Sequence, residues 1–387
     1  MLMMEIEIRQ FIQSIHDSPT RVVLVVAGAG CRALSDLLAV GGASRTLLEA
    51  LVPYSQASFD EFLAQPVSNY VSAQSARLLA GRAYTRARWL ESDEVPIIGL
   101  ACTAAIISDR PKRGEHRAHI ACWQAEQVVE YTIYLDKGAR DRTGEENLVS
   151  RMILNAFAAA SGLKQQLDIA LLDGDRIHVN HYDLAAMAQK VYRGEIDYFG
   201  IQDHGQLCPP TAKPPAILCG SFNPLHDGHL GMVQAATKML NHSVAFEIAA
   251  INVDKPPLRP QTILNRMGQF AGRYAVFASN APTYLQKCQL YPGATFIVGY
   301  DTAVRILNPR YYQHSQENLL AALAEIREQG CSFLVAGRID HKRTFRHLDD
   351  LDIPTPFSDL FRAIPPDLFR HDISSSQLRA SNKRGSR

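Results

Sequence analysis

The sequence lacks an excess of charge of either sign. Its 387 residues include 40 Lys and Arg against 39 Asp and Glu, and the formal net charge is +1. Binding to a nucleic acid relies on clustered Lys and Arg side chains that neutralise phosphates. Because both signs are spread along the chain, we expect no nucleic-acid partner.

Long hydrophobic runs are also missing. The best apolar run, Val22 to Ala29, is far shorter than the roughly 20 residues that cross a bilayer. The first ten residues carry acidic side chains where a signal peptide carries basic ones. We therefore expect no membrane contact and no targeting segment.

Cysteine is sparse and irregularly placed. The seven cysteines are odd in number and form no CxxC pair, so neither a disulfide framework nor a zinc site is indicated. This pattern favours a reduced, cytoplasmic compartment. The remaining composition, 47% hydrophobic and 20% charged, is that of an ordinary globular protein long enough for two domains.

A proline-rich stretch divides the chain. Residues 208–215 contain four prolines, which can continue neither a helix nor a central strand. We therefore predict a first domain over 1–207, a linker over 208–215 and a second domain over 216–387.

Both halves alternate strand and helix patterns, so the predicted fold class is α/β. In the first half, we expect a three-layer α/β domain with strands Arg21–Val26 and Val95–Ala101, a hairpin over Arg117–Leu135, and helices Ser72–Leu90 and Glu145–Ser161. In the second half, we expect a doubly wound, Rossmann-like parallel sheet with strands Ala216–Cys219, Ser243–Ile251, Thr295–Val298 and Ser332–Val335, and helices Gly228–Leu240, Gln261–Ala278 and Gln316–Gln329.

The most informative segment runs from Gly220 to Leu230 and reads G-S-F-N-P-L-H-D-G-H-L. It follows an apolar strand and opens a helix, where an open parallel sheet binds its ligand. Small residues let backbone N–H groups approach a phosphate, and the helix N-terminus favours negative charge. The segment predicts an anion site.

His226 and His229 are three residues apart, so both imidazoles can face one side of the helix start. There they would donate hydrogen bonds to phosphate oxygens. For an isolated HxxH pair, a helix cap plus a surface histidine is the simpler alternative. A zinc site is weaker, because no third ligand is evident and metalloprotease helices space their histidines four apart.

This segment resembles the signature of the nucleotidylyltransferase superfamily, which includes nicotinamide and nicotinate mononucleotide adenylyltransferases. A second signature lies about 150 residues downstream. Ile373 to Arg379 reads I-S-S-S-Q-L-R and is similar to the family's I-S-S-T-x-x-R, with Ser in place of Thr. The resemblance covers about residues 214–380.

The resemblance implies roles for individual residues. The implied catalytic residues are His226, His229, Lys255 and Arg379. The implied nucleotide-binding residues are Gly220, Ser221, Phe222, Asn223, Gly299, Asp301, Arg338, Ser374, Ser375 and Ser376. The alternatives are a solvated loop charge for Lys255 and a simple helix N-cap for Asp301.

The implied reaction is attack by the 5′-phosphate of a mononucleotide on the α-phosphorus of ATP, with pyrophosphate leaving and Mg²⁺ accompanying ATP. No protein metal ligands are predicted. A pyridine mononucleotide is the favoured acceptor, which would place the protein in NAD biosynthesis. Phosphopantetheine, choline phosphate or a sugar phosphate stay open, as does a non-catalytic nucleotide-binding regulator or scaffold. Both tryptophans lie in the first half, and Tyr311 and Tyr312 are alternatives for stacking on the pyridine ring.

The first half is similar to the CinA C-terminal family, which contains nicotinamide-mononucleotide amidohydrolases. The similarity rests on four segments in order along the chain: Val25 to Cys31, Val52 to Ser55, Val71 to Ala76, and Gly99 to Thr103 through Lys112 to Gly114. Gly30 replaces the family's serine, and Phe59 falls where its lysine is expected. Because a serine nucleophile needs a base, we expect the fold without amidase activity, serving assembly or nucleotide binding. A homo-oligomer stays open.

Two further features of the first half have alternatives. Cys31 is either a replacement nucleophile, activated by a helix N-terminus, or a buried inert cysteine, which we favour. His116 and His119 belong either to a phosphate-contacting loop with Lys112, Arg113 and Arg117, or to a solvated basic turn, which we favour.

Overall fold

The computed structural model describes residues 2–91, 95–109, 113–251, 256–340 and 343–370. Contacts divide these residues into two compact units. The first unit comprises the described residues up to Ala185 together with Ile201–Leu207 and Phe270–Arg273, and the second comprises the others. The predicted boundary at residues 208–215 stays a prediction.

The helices and strands are numbered in their order along the chain. The helices are α1 Leu2–His16, α2 Cys31–Ala39, α3 Gln56–Leu63, α4 Ala73–Leu90, α5 Arg142–Ala160, α6 Leu184–Tyr192, α7 Asp227–Leu240, α8 Pro260–Met267, α9 Tyr284–Leu290, α10 Tyr300–Ile306 and α11 Gln316–Glu328. The strands are β1 Arg21–Ala27, β2 Leu47–Leu51, β3 Ile97–Ala105, β4 His116–Trp123, β5 Gln127–Leu135, β6 Arg176–Asp183, β7 Tyr198–Ile201, β8 Ala216–Cys219, β9 Ala245–Ala249, β10 Val276–Ser279, β11 Thr295–Gly299, β12 Ser332–Ala336, β13 Arg338–Ile339, β14 Phe345–Arg346 and β15 Phe361–Ile364.

The first unit is built on a mixed sheet of six strands in the order β2-β1-β3-β4-β5-β6. β1 runs parallel to β2 and β3, and the pairs from β3 to β6 are antiparallel. β1 is an apolar run from Val22 to Val26, and all five of its residues are buried. A short turn joins β4 to β5, and these two strands form the predicted hairpin.

The second unit contains a seven-stranded, mostly parallel sheet in the order β15-β12-β11-β8-β9-β10-β7. From β8 the chain moves outward on one side through β9 and β10, and then returns to β11, β12 and β15 on the other side. The strand order therefore reverses between β8 and β11. Such a switch point leaves a crevice beyond the carboxyl ends of the strands, where Rossmann-like folds bind ligands. The α/β fold prediction is confirmed.

One predicted helix is wrong in its second half. The pattern predicted a helix over Gln261–Ala278, but α8 ends at Met267, and Val276–Ser279 forms the buried strand β10. Gly272 adopts a φ of 70°, which a helix does not tolerate. Short apolar runs cannot be assigned to helix or strand by periodicity alone. Among the described residues, no helix is both long and apolar enough to cross a bilayer.

Candidate functional site

The predicted anion loop connects β8 to α7 at the switch point of the second sheet. Its first residue, Gly220, donates its backbone N–H to the carbonyl oxygen of Glu247 at 2.9 Å. A Cβ atom on Gly220 would lie 2.8 Å from the ring of Phe222, so a larger residue here would displace that ring. The buried Phe222 ring packs edge-on against Phe246 at 5.3 Å between centroids, with its backbone in the left-handed region at φ 41°.

The two histidines come together where the loop enters the helix. His226 is the N-cap of α7, and its ring stacks on that of His229 with centroids 3.7 Å apart. The backbone N–H of His226 donates to Nδ1 of His229 at 3.4 Å. Because Nδ1 accepts this bond, the neutral His229 ring carries its proton on Nε2, which is then a donor.

Two side chains from α8 and the turn after it hold the loop, and the sequence motifs singled out neither for this role. The Arg266 guanidinium donates to the carbonyl oxygen of Ser221 at 3.0 Å, and burial lowers the pKa of Arg266. The Gln269 amide bonds both Phe222 and Leu225. These contacts span 44 to 47 residues of sequence, so no local pattern indicates them.

The implied ribose and base contacts form a second group at the same edge of the sheet. β11 and β12 are parallel neighbours, and Gly299 pairs with Ala336. The Asp301 carboxylate forms an ion pair with the Arg338 guanidinium, and both side chains are exposed to solvent. The N-cap of α10 is Gly299, so the alternative role of Asp301 as a simple N-cap is wrong.

A buried ion pair involves Glu247, the β9 residue that pairs with Cys219 directly before the loop. The Glu247 side chain is fully buried, and its Oε1 accepts from Lys287 Nζ at 2.6 Å and from Ser279 Oγ at 2.5 Å. Burial, reinforced by the Glu247 charge, raises the pKa of the Cys219 thiol, the last residue of β8. The strand that precedes the loop is thus anchored to β9, β10 and α9.

The first unit places its own motif residues around a cavity of about 160 Å³ beyond β1, β2 and β3. Its lining includes Gly28, Tyr54, Ser55, Phe59, Tyr70 and Ala104. Phe59 packs edge-on against Tyr70, with centroids 5.2 Å apart. An aromatic contact therefore stands where the resemblance leads one to expect a lysine.

Cys31 opens α2 and is exposed rather than buried. The Glu146 carboxylate fills the N-terminus of this helix, accepting from the N–H of Gly30 at 3.0 Å and from that of Arg32 at 3.1 Å. Partial burial, together with the Glu146 charge, raises the pKa of Cys31. The helix therefore does not activate this thiol, and the nucleophile alternative loses its physical basis.

His116 and His119 do not lie in a solvated turn, and that prediction is wrong. Both lie on β4 and are buried. His116 Nδ1 is 2.7 Å from the Glu145 carboxylate, and His119 Nδ1 is 2.8 Å from Thr132 Oγ1. Burial, with help from nearby arginine charges, lowers the pKa of His119 to about 4. Neither ring is available to a phosphate in the way the loop alternative requires.

The comparison with protein families identifies the second half. Residues 217–381 match the family described as cytidylyltransferase-like. The chain therefore contains a nucleotidyltransferase-like domain, and the loop and the two histidines described above lie in it. No curated protein sequence matches the chain significantly.

Solved structures of CinA-like proteins cover about 40% of the chain. The competence/damage inducible protein CihA from Agrobacterium tumefaciens is 19% identical, covers 40% of this chain and 94% of its own, and gives a TM-score of 0.34. A competence-damaged protein (CinA) superfamily member from Escherichia coli is 18% identical, covers 40% and 89%, and gives a TM-score of 0.30. Similarity at this level establishes no shared activity.

Some residues predicted for the cytidylyltransferase-like domain fall outside the described part of the chain. They are Lys255, Ser374, Ser375, Ser376 and Arg379. Among the residues that the structure describes, no group of His, Cys, Asp and Glu could hold a metal ion.

Tyr312, one of the two candidates for stacking on the pyridine ring, is half-buried in the cytidylyltransferase-like domain. Its ring packs against the hydrophobic core, and its hydroxyl donates to the carbonyl oxygen of Ile306 at 2.9 Å. Burial raises the pKa of Tyr312 to about 12. Stacking of Tyr311 or Tyr312 on the pyridine ring stays a prediction.

Proposed function

We propose that the protein transfers the adenylyl group of ATP to the 5′-phosphate of nicotinamide or nicotinate mononucleotide, releasing pyrophosphate and forming a dinucleotide. One observation carries the proposal. Two stacked imidazoles stand at a helix N-terminus, beside a glycine loop, at the switch point of the sheet in a cytidylyltransferase-like domain. This arrangement suits a phosphate under attack.

The reaction needs no covalent nucleophile on the protein. An oxygen of the acceptor phosphate forms a bond to the α-phosphorus of ATP, and the bond from that phosphorus to the β-phosphate oxygen breaks. The protein positions both substrates and stabilises charge on the phosphate oxygens. His229 Nε2–H and the His226 ring would donate to these oxygens, and backbone groups of Gly220, Ser221 and Phe222 would line the acceptor phosphate.

The remaining predicted residues would bind the other parts of the two substrates. We assign Asp301 and Arg338 to the ribose and base, Lys255 to the transferring or leaving phosphate, and Ser374 to Ser376 with Arg379 to the pyrophosphate. Mg²⁺ would enter as part of the ATP complex and neutralise the triphosphate, and we place no step of the reaction on it.

We further propose that the first half lacks amidase activity. The contact between Phe59 and Tyr70 supports this, because no base stands at Phe59 to activate a nucleophile. The raised pKa of Cys31 adds to it, since only a thiolate attacks efficiently.

The test is pyrophosphate release by the full chain with ATP and Mg²⁺, offering nicotinamide mononucleotide, nicotinate mononucleotide and phosphopantetheine in parallel. With a pyridine mononucleotide, we expect turnover that falls by about 10²-fold or more in His226→Ala, because a donor to a developing charge is lost. His242→Ala removes a half-buried histidine just beyond α7 and should leave the rate unchanged.

The same experiment separates the alternatives. Turnover with phosphopantetheine alone would move the proposal to another acceptor. ATP binding without turnover of any acceptor would contradict an enzyme and favour a nucleotide-binding regulator. Equal rates for His226→Ala and the unmodified protein would remove the histidine from the chemistry.

A further inference from the structure

One side chain spans the turn inside the anion loop. Gln269 donates from Nε2 to the carbonyl oxygen of Phe222 at 2.9 Å, and its Oε1 accepts from the backbone N–H of Leu225 at 2.9 Å. Nε2 also donates to the carbonyl oxygen of Arg266 at 3.1 Å, which fixes the amide on its own turn of helix. The Gln269 amide therefore bonds the segment 222–225 at its first and its last residue.

The position of the Gln269 amide is important because the segment 222–225 begins at a strained residue and leads into the N-cap of α7. Phe222 has a φ of 41°, a region that a bulky residue occupies only when its surroundings enforce it. Leu225 directly precedes His226, the N-cap on which the stacked imidazoles depend. An irregular loop has no ladder partners for its backbone groups, so their bonds must come from side chains or water.

We propose that Gln269 is a positioning residue for His226 and His229. The proposal rests on the proposed function, since the histidines are assigned there to the phosphates. Gln269 acts through the loop: it fixes Phe222 and Leu225 relative to each other, and thereby fixes the start of α7. Arg266 holds only Ser221, on the near side of the turn, so it does not replace the bond to Leu225.

The chemistry of the amide provides a selective variant. Gln269→Glu keeps the size and shape of the side chain and keeps an acceptor for the Leu225 N–H. It replaces the donor to Phe222 with a carboxylate oxygen, which then faces the carbonyl oxygen of Phe222 and repels it. Gln261→Glu is the matched control, because it makes the same exchange at an exposed position on α8, where Gln261 Nε2 donates to Asn265 Oδ1.

The kinetic test compares both variants with the unmodified full chain in the pyrophosphate-release assay. For Gln269→Glu, we expect kcat to fall about tenfold or more with KM for ATP unchanged within about twofold, because misplacement by about 1 Å is costly to catalysis but not to ground-state binding. Gln261→Glu should match the unmodified protein. A kcat within about twofold of the unmodified value, or a rise in KM alone, would overturn the proposal.

A second measurement does not need turnover. Imidazole NMR signals of His226 and His229, assigned through His226→Gln and His229→Gln, should shift in Gln269→Glu and stay in place in Gln261→Glu. If the unmodified protein turns over no acceptor, the proposed function fails while these signals still decide the role of Gln269. If Gln269→Glu does not fold, Gln269→Ala removes the same bonds without adding charge, and unshifted signals in that variant would overturn the proposal.

Discussion

Each unit contains a glycine-containing loop that leads from a parallel strand into a helix. The charges of the side chains around the two loops differ. In the first unit, the loop after β1 leads into α2, and the Glu146 carboxylate already occupies the N-terminus of that helix. In the second unit, the loop after β8 leads into α7, and the side chains that hold it are the neutral Gln269 and the cationic Arg266. The first helix start is occupied by a carboxylate, and the loop before the second is held by a guanidinium and a neutral amide.

The difference teaches that strand–loop–helix geometry alone does not make a phosphate site. Backbone N–H groups and the helix dipole attract an anion at either helix start. A carboxylate from α5 satisfies that attraction at α2, so a substrate phosphate would have to displace it against charge repulsion. At α7 the two imidazoles can add donors to the same attraction.

The largest effect is expected from Lys287→Met, which tests how firmly the second loop is supported. This change leaves the Glu247 carboxylate fully buried without its cation, and we expect a loss of about 3–5 kcal/mol in the free energy of unfolding. Urea unfolding followed by far-UV circular dichroism measures it. Both tryptophans lie in the first unit, so their fluorescence monitors that unit separately.

The double variant Glu247→Gln, Lys287→Met is the control for that experiment. It removes both charges together and should recover most of the stability, because an apolar or neutral pair often replaces a buried ion pair without loss. If the single variant unfolds at the same urea concentration as the unmodified protein, the ion pair does not support the loop.

The segment around the second loop shows which structural features could be predicted from the sequence and which could not. Strand β8 and helix α7 could be predicted within one residue, because an apolar run, a Gly and Pro loop and a helical pattern follow one another. The supports could not: Gln269 and Arg266 reach the loop from 44 or more residues away, and Lys287 reaches Glu247 on the neighbouring strand β9 across 40 residues. In the first unit, the pattern likewise gave no sign that Glu146 caps α2 across 116 residues.

A smaller effect is expected from Gly220→Ala, which tests the packing of the second loop. The added Cβ would meet the Phe222 ring at 2.8 Å, and that ring is itself packed against Phe246. We expect a loss of about 1–3 kcal/mol in stability, together with a lower kcat as the loop shifts. Gly41→Ala in the first unit is the control, because a Cβ there meets nothing within 4 Å. Equal stability of both variants would show that the loop yields easily and that its shape is not fixed by Phe222.

The smallest effect is expected from Glu146→Gln. This change removes the negative charge at the N-terminus of α2, so that this helix start resembles that of α7. The amide oxygen can still accept from Gly30 and Arg32, so we expect a loss of only about 0.3–1 kcal/mol in stability from the lost interaction with the helix dipole. The more sensitive readout is Cys31, whose pKa is raised by burial and by the Glu146 charge. Without that charge the pKa falls, and a larger fraction of the thiol is ionised at any pH below it.

Alkylation of Cys31 by iodoacetamide, followed by mass spectrometry of its peptide, should therefore be faster in Glu146→Gln than in the unmodified protein. The difference should vanish as the pH rises above the pKa, where the thiol is ionised in both proteins. Glu61→Gln, at an exposed position on α3, is the control and should not change the rate. If Glu146→Gln alkylates no faster, the carboxylate does not set the charge at α2, and the contrast between the two helix starts has to rest on the histidines of the second unit alone.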